Sequence, residues 1–125
     1  MVDETILLYV EDNEADVLML KHLFARHRSA KHLTIEVSKT VADAIAAFDA
    51  GRHSAVLVDW VLPDGTGAAV GAHVRAHSDD IPLIYLSGIQ SAKALEATRG
   101  VVNCHFIKKG HTTDYVDAVL RLITN

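Results

Sequence analysis

The sequence has little of what defines several protein classes. It has a single cysteine, Cys104, which excludes an intramolecular disulfide and a cysteine-based zinc site. Lysine and arginine number 12 against 16 acidic residues, and the net charge of −4 leaves no basic surface for nucleic acid. No apolar run approaches the roughly 18 residues of a membrane span, and the acidic start, Met1–Glu4, is unlike a signal peptide. We therefore expect a cytoplasmic protein that contacts neither membrane nor nucleic acid directly.

The remaining composition is that of one globular domain. The chain has 125 residues, half of them hydrophobic and 22% charged, which is enough to bury a core without disulfides or metals. Only two prolines and seven glycines are present, so the loops should be short. We expect a single domain over residues 1–125.

Short apolar runs alternate with segments of helical periodicity. The runs predicted as strands are Ile6–Val10, Leu33–Val37, Ala55–Val58, Pro82–Leu86 and Cys104–Ile107. The first, third and fourth runs are almost continuously hydrophobic, which is typical of parallel strands covered on both faces. The pattern predicts an α/β fold, a (βα)5 doubly wound parallel five-stranded sheet.

Helical spacing of apolar residues indicates the helices between the strands. The residues that carry this spacing are Val41, Ala44, Ile45 and Phe48, then Val116, Val119, Leu120 and Ile123. In the first helix, Leu18, Met19 and Leu23 are predicted to form a wide apolar face with Leu20 and Phe24. A third helix is predicted from Gly67 to His77. The predicted ends are marked by Asp12 or Asn13, Thr40 and Thr113 as N-caps, and by Gly51 and Gly100 as stops.

Polar residues follow four of the predicted strands at the point where each one ends. They are Glu11 and Asp12, Asp59, Ser87, and the pair Lys108 and Lys109. Each alone has an ordinary explanation as a helix cap, a turn residue or a solvated charge. Together they fall on one edge of the sheet, where parallel α/β folds bind ligands. Clustered carboxylates are suited to Mg²⁺, and a hydroxyl and an ammonium beside them are suited to a phosphoryl group on an aspartate.

Four ordered motifs resemble those of response-regulator receiver domains, the phosphoacceptor modules of two-component signalling. The motifs are Leu7–Asn13 (LLYVEDN), Leu57–Gly65 (LVDWVLPDG), Leu86–Gly88 (LSG) and Phe106–Gly110 (FIKKG). The resemblance extends from Ile6 to about Ile123, and it implies the flavodoxin-like strand order 2-1-3-4-5.

The resemblance assigns the acidic residues to phosphorylation and metal binding. Asp59 is similar to the phosphorylated aspartate. Asp12 resembles the direct Mg²⁺ ligand, and Glu11 resembles its partner, which acts largely through water. Asp59 and the backbone carbonyl of Val61 complete the implied metal site, with Mn²⁺ or Ca²⁺ as substitutes for Mg²⁺.

The resemblance also assigns the residues that respond to the phosphoryl group. Ser87 matches the hydroxyl residue and Phe106 the aromatic of the conformational switch. Lys109 is chosen over Lys108 as the invariant lysine, because the family places the lysine three residues after the aromatic. Gly110 stands where the family often has proline. Trp60, next to Asp59, is expected to be partly exposed.

The implied function is that of a signalling protein without activity on other substrates. A histidine kinase or phosphotransfer protein would phosphorylate Asp59, and the face of the fourth helix, fifth strand and fifth helix would signal to an unknown partner, with the chain a monomer or weak dimer. Apolar Val61 and Ile89 predict slow self-dephosphorylation. The alternatives are a haloacid-dehalogenase-like aspartyl phosphatase, a flavodoxin-like flavin carrier and a degenerate receiver that only binds partners.

Overall fold

A parallel sheet forms the centre of the computed structural model, which describes residues 5–27, 32–88, 92–99, 103–109 and 114–124. The strands of that sheet are β1 (Thr5–Val10), β2 (Leu33–Ser38), β3 (Ala55–Asp59), β6 (Leu83–Ser87) and β7 (Cys104–Lys108). Their order is β2-β1-β3-β6-β7 and every pairing is parallel. A two-stranded antiparallel hairpin, β4 (Val61–Leu62) and β5 (Gly65–Thr66), follows β3. The helices are α1 (Glu14–Ala25), α2 (Val41–Ala47), α3 (Gly67–His77), α4 (Ala92–Thr98) and α5 (Asp114–Thr124).

Helices cover both faces of the sheet and divide the core into two layers. On one face α2 and α3 pack against alternate strand residues such as Leu8, Val56 and Leu83. On the other face α1 and α5 pack against Leu7 and Leu57. Burial on both faces explains why the central strands are continuously hydrophobic. The α/β fold class and the strand order 2-1-3-4-5, counted over the five parallel strands, are therefore confirmed.

Several predicted elements match the observed ones closely. The third helix spans Gly67–His77 as predicted. Thr40 caps α2, because its side chain accepts a hydrogen bond from the backbone N–H of Asp43. Of the two candidate caps of α1, Asn13 is the one used, and its side chain accepts from the N–H of Asp16 at 3.1 Å. Cys104 is buried.

Two local predictions were wrong. Leu18 and Met19 are 63% and 45% exposed, because the buried face of α1 consists of Val17, Leu20 and Phe24, and the two residues after Val17 point away from it. Gly51 does not end α2, whose last residue is Ala47. Gly51 instead lies in the following turn, where its N–H donates to the side chain of Asp49 at 2.9 Å.

Some predictions fall on positions that the structure does not describe. These positions are Ile89, Gly100, Gly110 and Thr113, all outside the described ranges. Among the described residues, no helix is long and apolar enough to cross a membrane.

Candidate functional site

The carboxyl-terminal edge of the sheet brings three carboxylates together. Val10 at the end of β1 is level with Val58 on β3, so Glu11 and Asp59 follow side by side. One carboxylate oxygen from each of Glu11, Asp12 and Asp59 lies within 4.8 Å of the others. This set of oxygen donors is suited to a hard divalent cation such as Mg²⁺, which uses few carboxylates and retains water ligands.

The three carboxylates differ in their exposure to water. Glu11 is buried, Asp59 is mostly covered, and Asp12 is exposed. Glu11 accepts hydrogen bonds from the Tyr9 hydroxyl at 3.5 Å and from the backbone N–H of Asn13 at 3.3 Å. Asp12 is therefore the carboxylate most accessible from solvent, and Glu11 is the most buried of the three.

Burial makes two of these carboxylates hold protons more tightly. Desolvation raises the pKa of Glu11 to about 7; Lys109 opposes this rise and Asp59 adds to it. Desolvation likewise raises the pKa of Asp59, although the charge of Lys109 and a hydrogen bond from the backbone N–H of Val61 counteract it. Bringing a cation into the cluster would remove the penalty that keeps these groups from ionising.

Mg²⁺ affinity is therefore expected to depend steeply on pH near neutrality. Below pH 7 a cation must displace the proton of Glu11, so the affinity should fall up to about tenfold per pH unit, and it should level off above that pKa. A Mg²⁺ titration followed by Trp60 fluorescence between about pH 6 and pH 8 measures this dependence. Glu11→Gln should abolish the change in Mg²⁺ affinity near pH 7. A wild-type affinity that does not change between about pH 6 and pH 8 would contradict the prediction.

Lys109 supplies the positive charge of the cluster. Its ammonium donates to the Glu11 carboxylate and to Asp16 at 3.1 Å, and it lies 3.9 Å from Asp59. Burial alone would lower the pKa of Lys109, but these carboxylates outweigh it and raise the pKa above its usual value. The backbone N–H of Lys109 donates to the carbonyl of Ser87 at 2.7 Å, which fixes the lysine at the end of β7. Lys108 is exposed, so of the two lysines it is Lys109 that reaches the carboxylates.

Ser87 and Phe106 lie on neighbouring strands beside the cluster. Ser87 is the last residue of β6 and is buried. Phe106 on β7 is level with Tyr85, two residues before Ser87, so the three side chains share one face of the sheet. Phe106 is partly buried against the core layer of α2 and α3.

The prediction that Trp60 is partly exposed was wrong. Trp60 is buried rather than partly exposed, because its ring packs edge-to-face on Tyr85 with the ring centroids 5.3 Å apart. The first residue of α3 lies close to the backbone of Asp59 and Trp60. A Cβ atom on Gly67, the first residue of α3, would lie 2.8 Å from the carbonyl oxygen of Asp59, so only glycine allows the helix to begin there.

Two acidic residues of the site were missed by the sequence analysis. Asp16, in the first turn of α1, accepts a hydrogen bond from the Lys109 ammonium at 3.1 Å. Asp64 accepts from the N–H groups of Val41 at 2.8 Å and Ala42 at 3.1 Å, and these hydrogen bonds lower its pKa. Asp64 thus attaches the loop after Asp59 to the start of α2, a contact between distant segments that no local pattern predicts.

Solved structures with the same architecture include receiver domains of response regulators. The non-phosphorylated HemR receiver domain from Leptospira biflexa aligns with a TM-score of 0.84 and 23% identity, covering 98% of this chain and 96% of that one. The chemotaxis protein CheY4 of Vibrio cholerae aligns with a TM-score of 0.79 and 19% identity, covering 97% and 99%. The chain has the receiver-domain fold of response regulators. The BeF3-activated receiver domain of RstA from Klebsiella pneumoniae is similar to the same extent, with a TM-score of 0.79 and 18% identity over 97% and 99% of the two chains.

Sequence comparison gives two regulatory proteins, of which the chain covers only part. The acid tolerance regulatory protein ActR of Rhizobium meliloti is 28% identical over 116 residues, which is 92% of this chain. ActR of Sinorhizobium medicae matches to the same extent. The chain spans 58% of the length of these curated relatives. No protein-family model matches the chain.

Proposed function

We propose that the chain is a single receiver domain that accepts a phosphoryl group on Asp59 in a Mg²⁺-dependent reaction. The observation that carries the proposal is the position of Asp59. It shares a 4.8 Å cluster of oxygen donors with Glu11 and Asp12, and the Lys109 ammonium lies 3.9 Å from it. A carboxylate nucleophile, a cation site and a fixed ammonium are the groups that phosphoryl transfer to an aspartate needs.

In the proposed reaction the donor is a phosphohistidine of a histidine kinase or phosphotransfer protein. A carboxylate oxygen of Asp59 attacks phosphorus in line, so that an O–P bond forms as the N–P bond breaks and the released imidazole takes up a proton. Lys109 and the Ser87 hydroxyl stabilise the negative charge on the phosphoryl oxygens. Mg²⁺, held by Glu11, Asp12, Asp59 and the Val61 carbonyl, supplies further charge neutralisation when bound.

The proposed signal is a rearrangement of the strands beside the site. A phosphoryl group adds charge and hydrogen-bond acceptors. Ser87 would turn toward it, and Phe106 would occupy the space that Ser87 leaves, which alters the surface of α4, β7 and α5 for an unidentified output partner. The shared face of Ser87 and Phe106 on adjacent strands supports this coupling. A Ser87→Ala variant that still switches fully on phosphorylation would contradict it.

The first test is stoichiometric phosphorylation by acetyl phosphate. Intact-mass measurement should show one phosphoryl group per chain when Mg²⁺ is present and none after chelation, because the chain is the substrate and does not turn over. The exposed aliphatic Val61, two residues after the acceptor, offers no acid or base for a phosphatase at that position. Steady release of phosphate from p-nitrophenyl phosphate without a lasting adduct would instead support the phosphatase alternative.

A further inference from the structure

The ammonium of Lys109 is bound by a carboxylate outside the expected site. Asp16, in the first turn of α1, accepts from Lys109 at 3.1 Å, and the second acceptor within hydrogen-bond distance is Glu11. Asp59 lies 3.9 Å away, beyond the 2.7–2.9 Å typical of a charged hydrogen bond. The lysine side chain is only 14% exposed, so few water molecules compete with these carboxylates for the ammonium.

The start of α1 fixes Asp16 in this position. Asn13 caps the helix by accepting the N–H of Asp16 on its side chain and the N–H of Val17 on its carbonyl. Val17 is buried against the sheet, so the first turn cannot rotate freely. Asp16 therefore faces Lys109 as part of the folded helix end rather than as a mobile surface charge.

Lys109 must move toward Asp59 to bind a phosphoryl oxygen carried there. The Lys109 Nζ atom lies 3.9 Å from a carboxylate oxygen of Asp59, so it must shift by about 1 Å to reach hydrogen-bond distance. Glu11 lies at the buried floor of the cluster and is 1% exposed, whereas the side chain of Asp16 is 35% exposed. Water can therefore replace Lys109 as the partner of Asp16 at lower cost than as the partner of Glu11. The hydrogen bond from Lys109 to Asp16 is the one that breaks.

We propose that Asp16 is a positioning residue that holds Lys109 away from the phosphoacceptor and competes with the phosphoryl group for it. This inference rests on the proposed function. Because Asp16 binds the ammonium in the unphosphorylated state, it weakens every state in which Lys109 binds an anion on Asp59. Phosphorylation in turn releases Asp16 and the first turn of α1 from β7.

The test compares Asp16→Asn with a matched variant on the same helix turn. Glu14→Gln removes the same charge, but Glu14 is 70% exposed and pairs with Lys39 at 3.1 Å instead of Lys109. The probe is beryllofluoride, titrated at saturating Mg²⁺ and followed by Trp60 fluorescence. Asp16→Asn should bind it about three- to tenfold more tightly, whereas Glu14→Gln should bind like the wild type.

Two further variants separate positioning from a structural effect. Asp16→Glu keeps the charge and should restore most of the wild-type affinity. In a Lys109→Met background, Asp16→Asn should have no effect, because the residue it acts through is gone. In acetyl phosphate kinetics, Asp16→Asn should lower the half-saturating concentration of the donor.

The outcomes distinguish this inference from the proposed function. Unchanged or weaker beryllofluoride binding by Asp16→Asn, with normal binding by the wild type, overturns the role of Asp16 alone. An equal gain in Glu14→Gln also overturns it, because the effect would then be one of overall charge. A wild-type chain that binds no beryllofluoride and takes up no phosphoryl group overturns both proposals.

Discussion

Asp59→Asn is expected to abolish phosphorylation by acetyl phosphate while leaving a folded and more stable protein. The amide has nearly the same shape as the carboxylate but is not a nucleophile, so incorporation should fall by at least about 100-fold. Stability should rise because burial raises the pKa of Asp59, so the ionised carboxyl is disfavoured in the folded state near neutral pH. Intact-mass spectrometry measures the first effect, and a urea unfolding curve measures the second.

A matched variant within the cluster tests the specificity of this loss. Asp12→Asn removes an exposed carboxylate of the same cluster but keeps the proposed acceptor. It should still incorporate one phosphoryl group, more slowly and at higher Mg²⁺ concentration. Full incorporation by Asp59→Asn would show that another carboxylate, Asp12 first among them, is the acceptor. If Asp59→Asn loses incorporation and is also less stable than the wild type, the loss would be explained by unfolding instead.

Gly71→Ala is expected to destabilise the fold by about 2 kcal/mol. The new Cβ atom would lie 1.9 Å from the hydroxyl oxygen of Tyr85 and 3.1 Å from a methyl carbon of Leu83. Overpacking of this kind costs up to about 3 kcal/mol, and the better helix propensity of alanine recovers about 1 kcal/mol. Urea denaturation of both proteins measures the difference.

Two variants determine whether the tyrosine causes this effect. Adding Tyr85→Phe removes the clashing hydroxyl and should rescue part of the loss, since the nearest remaining ring carbon would lie 2.9 Å from the new Cβ. Ala72→Gly, at the exposed next position of α3, measures helix propensity without packing and should cost about 1 kcal/mol. If Gly71→Ala is as stable as the wild type, the ring does not occupy this position.

Displacement of Tyr85 would also move Trp60, so the mutation should alter the fluorescence of the site.

The sequence predicts the fold well because its strongest signals are local. Continuous hydrophobic runs identify β1, β3 and β6 as strands buried on both faces, and the parallel arrangement then places their carboxyl ends at one edge. The residues of the candidate site follow directly from that edge. Asp59 ends β3, and Ser87 ends β6.

Other features depend on contacts that sequence spacing does not encode. The direction in which α1 faces the sheet is set by tertiary packing, so Leu18 and Met19 turned out to be exposed. Trp60 is buried because its ring packs on Tyr85, a contact that exists only in the folded chain. The contact of Asp16 with Lys109 joins α1 to the end of β7, and no local spacing predicts it.

The hydrogen bonds of Asp64 couple the start of α2 to the loop that follows Asp59. Asp64 lies in the hairpin that follows Asp59, and its carboxylate covers the N–H groups of Val41 and Ala42. Each opening of that hairpin therefore exposes two backbone amides on a different element to solvent exchange. The exchange protection of the Val41 and Ala42 amides should consequently report how often the loop after Asp59 opens.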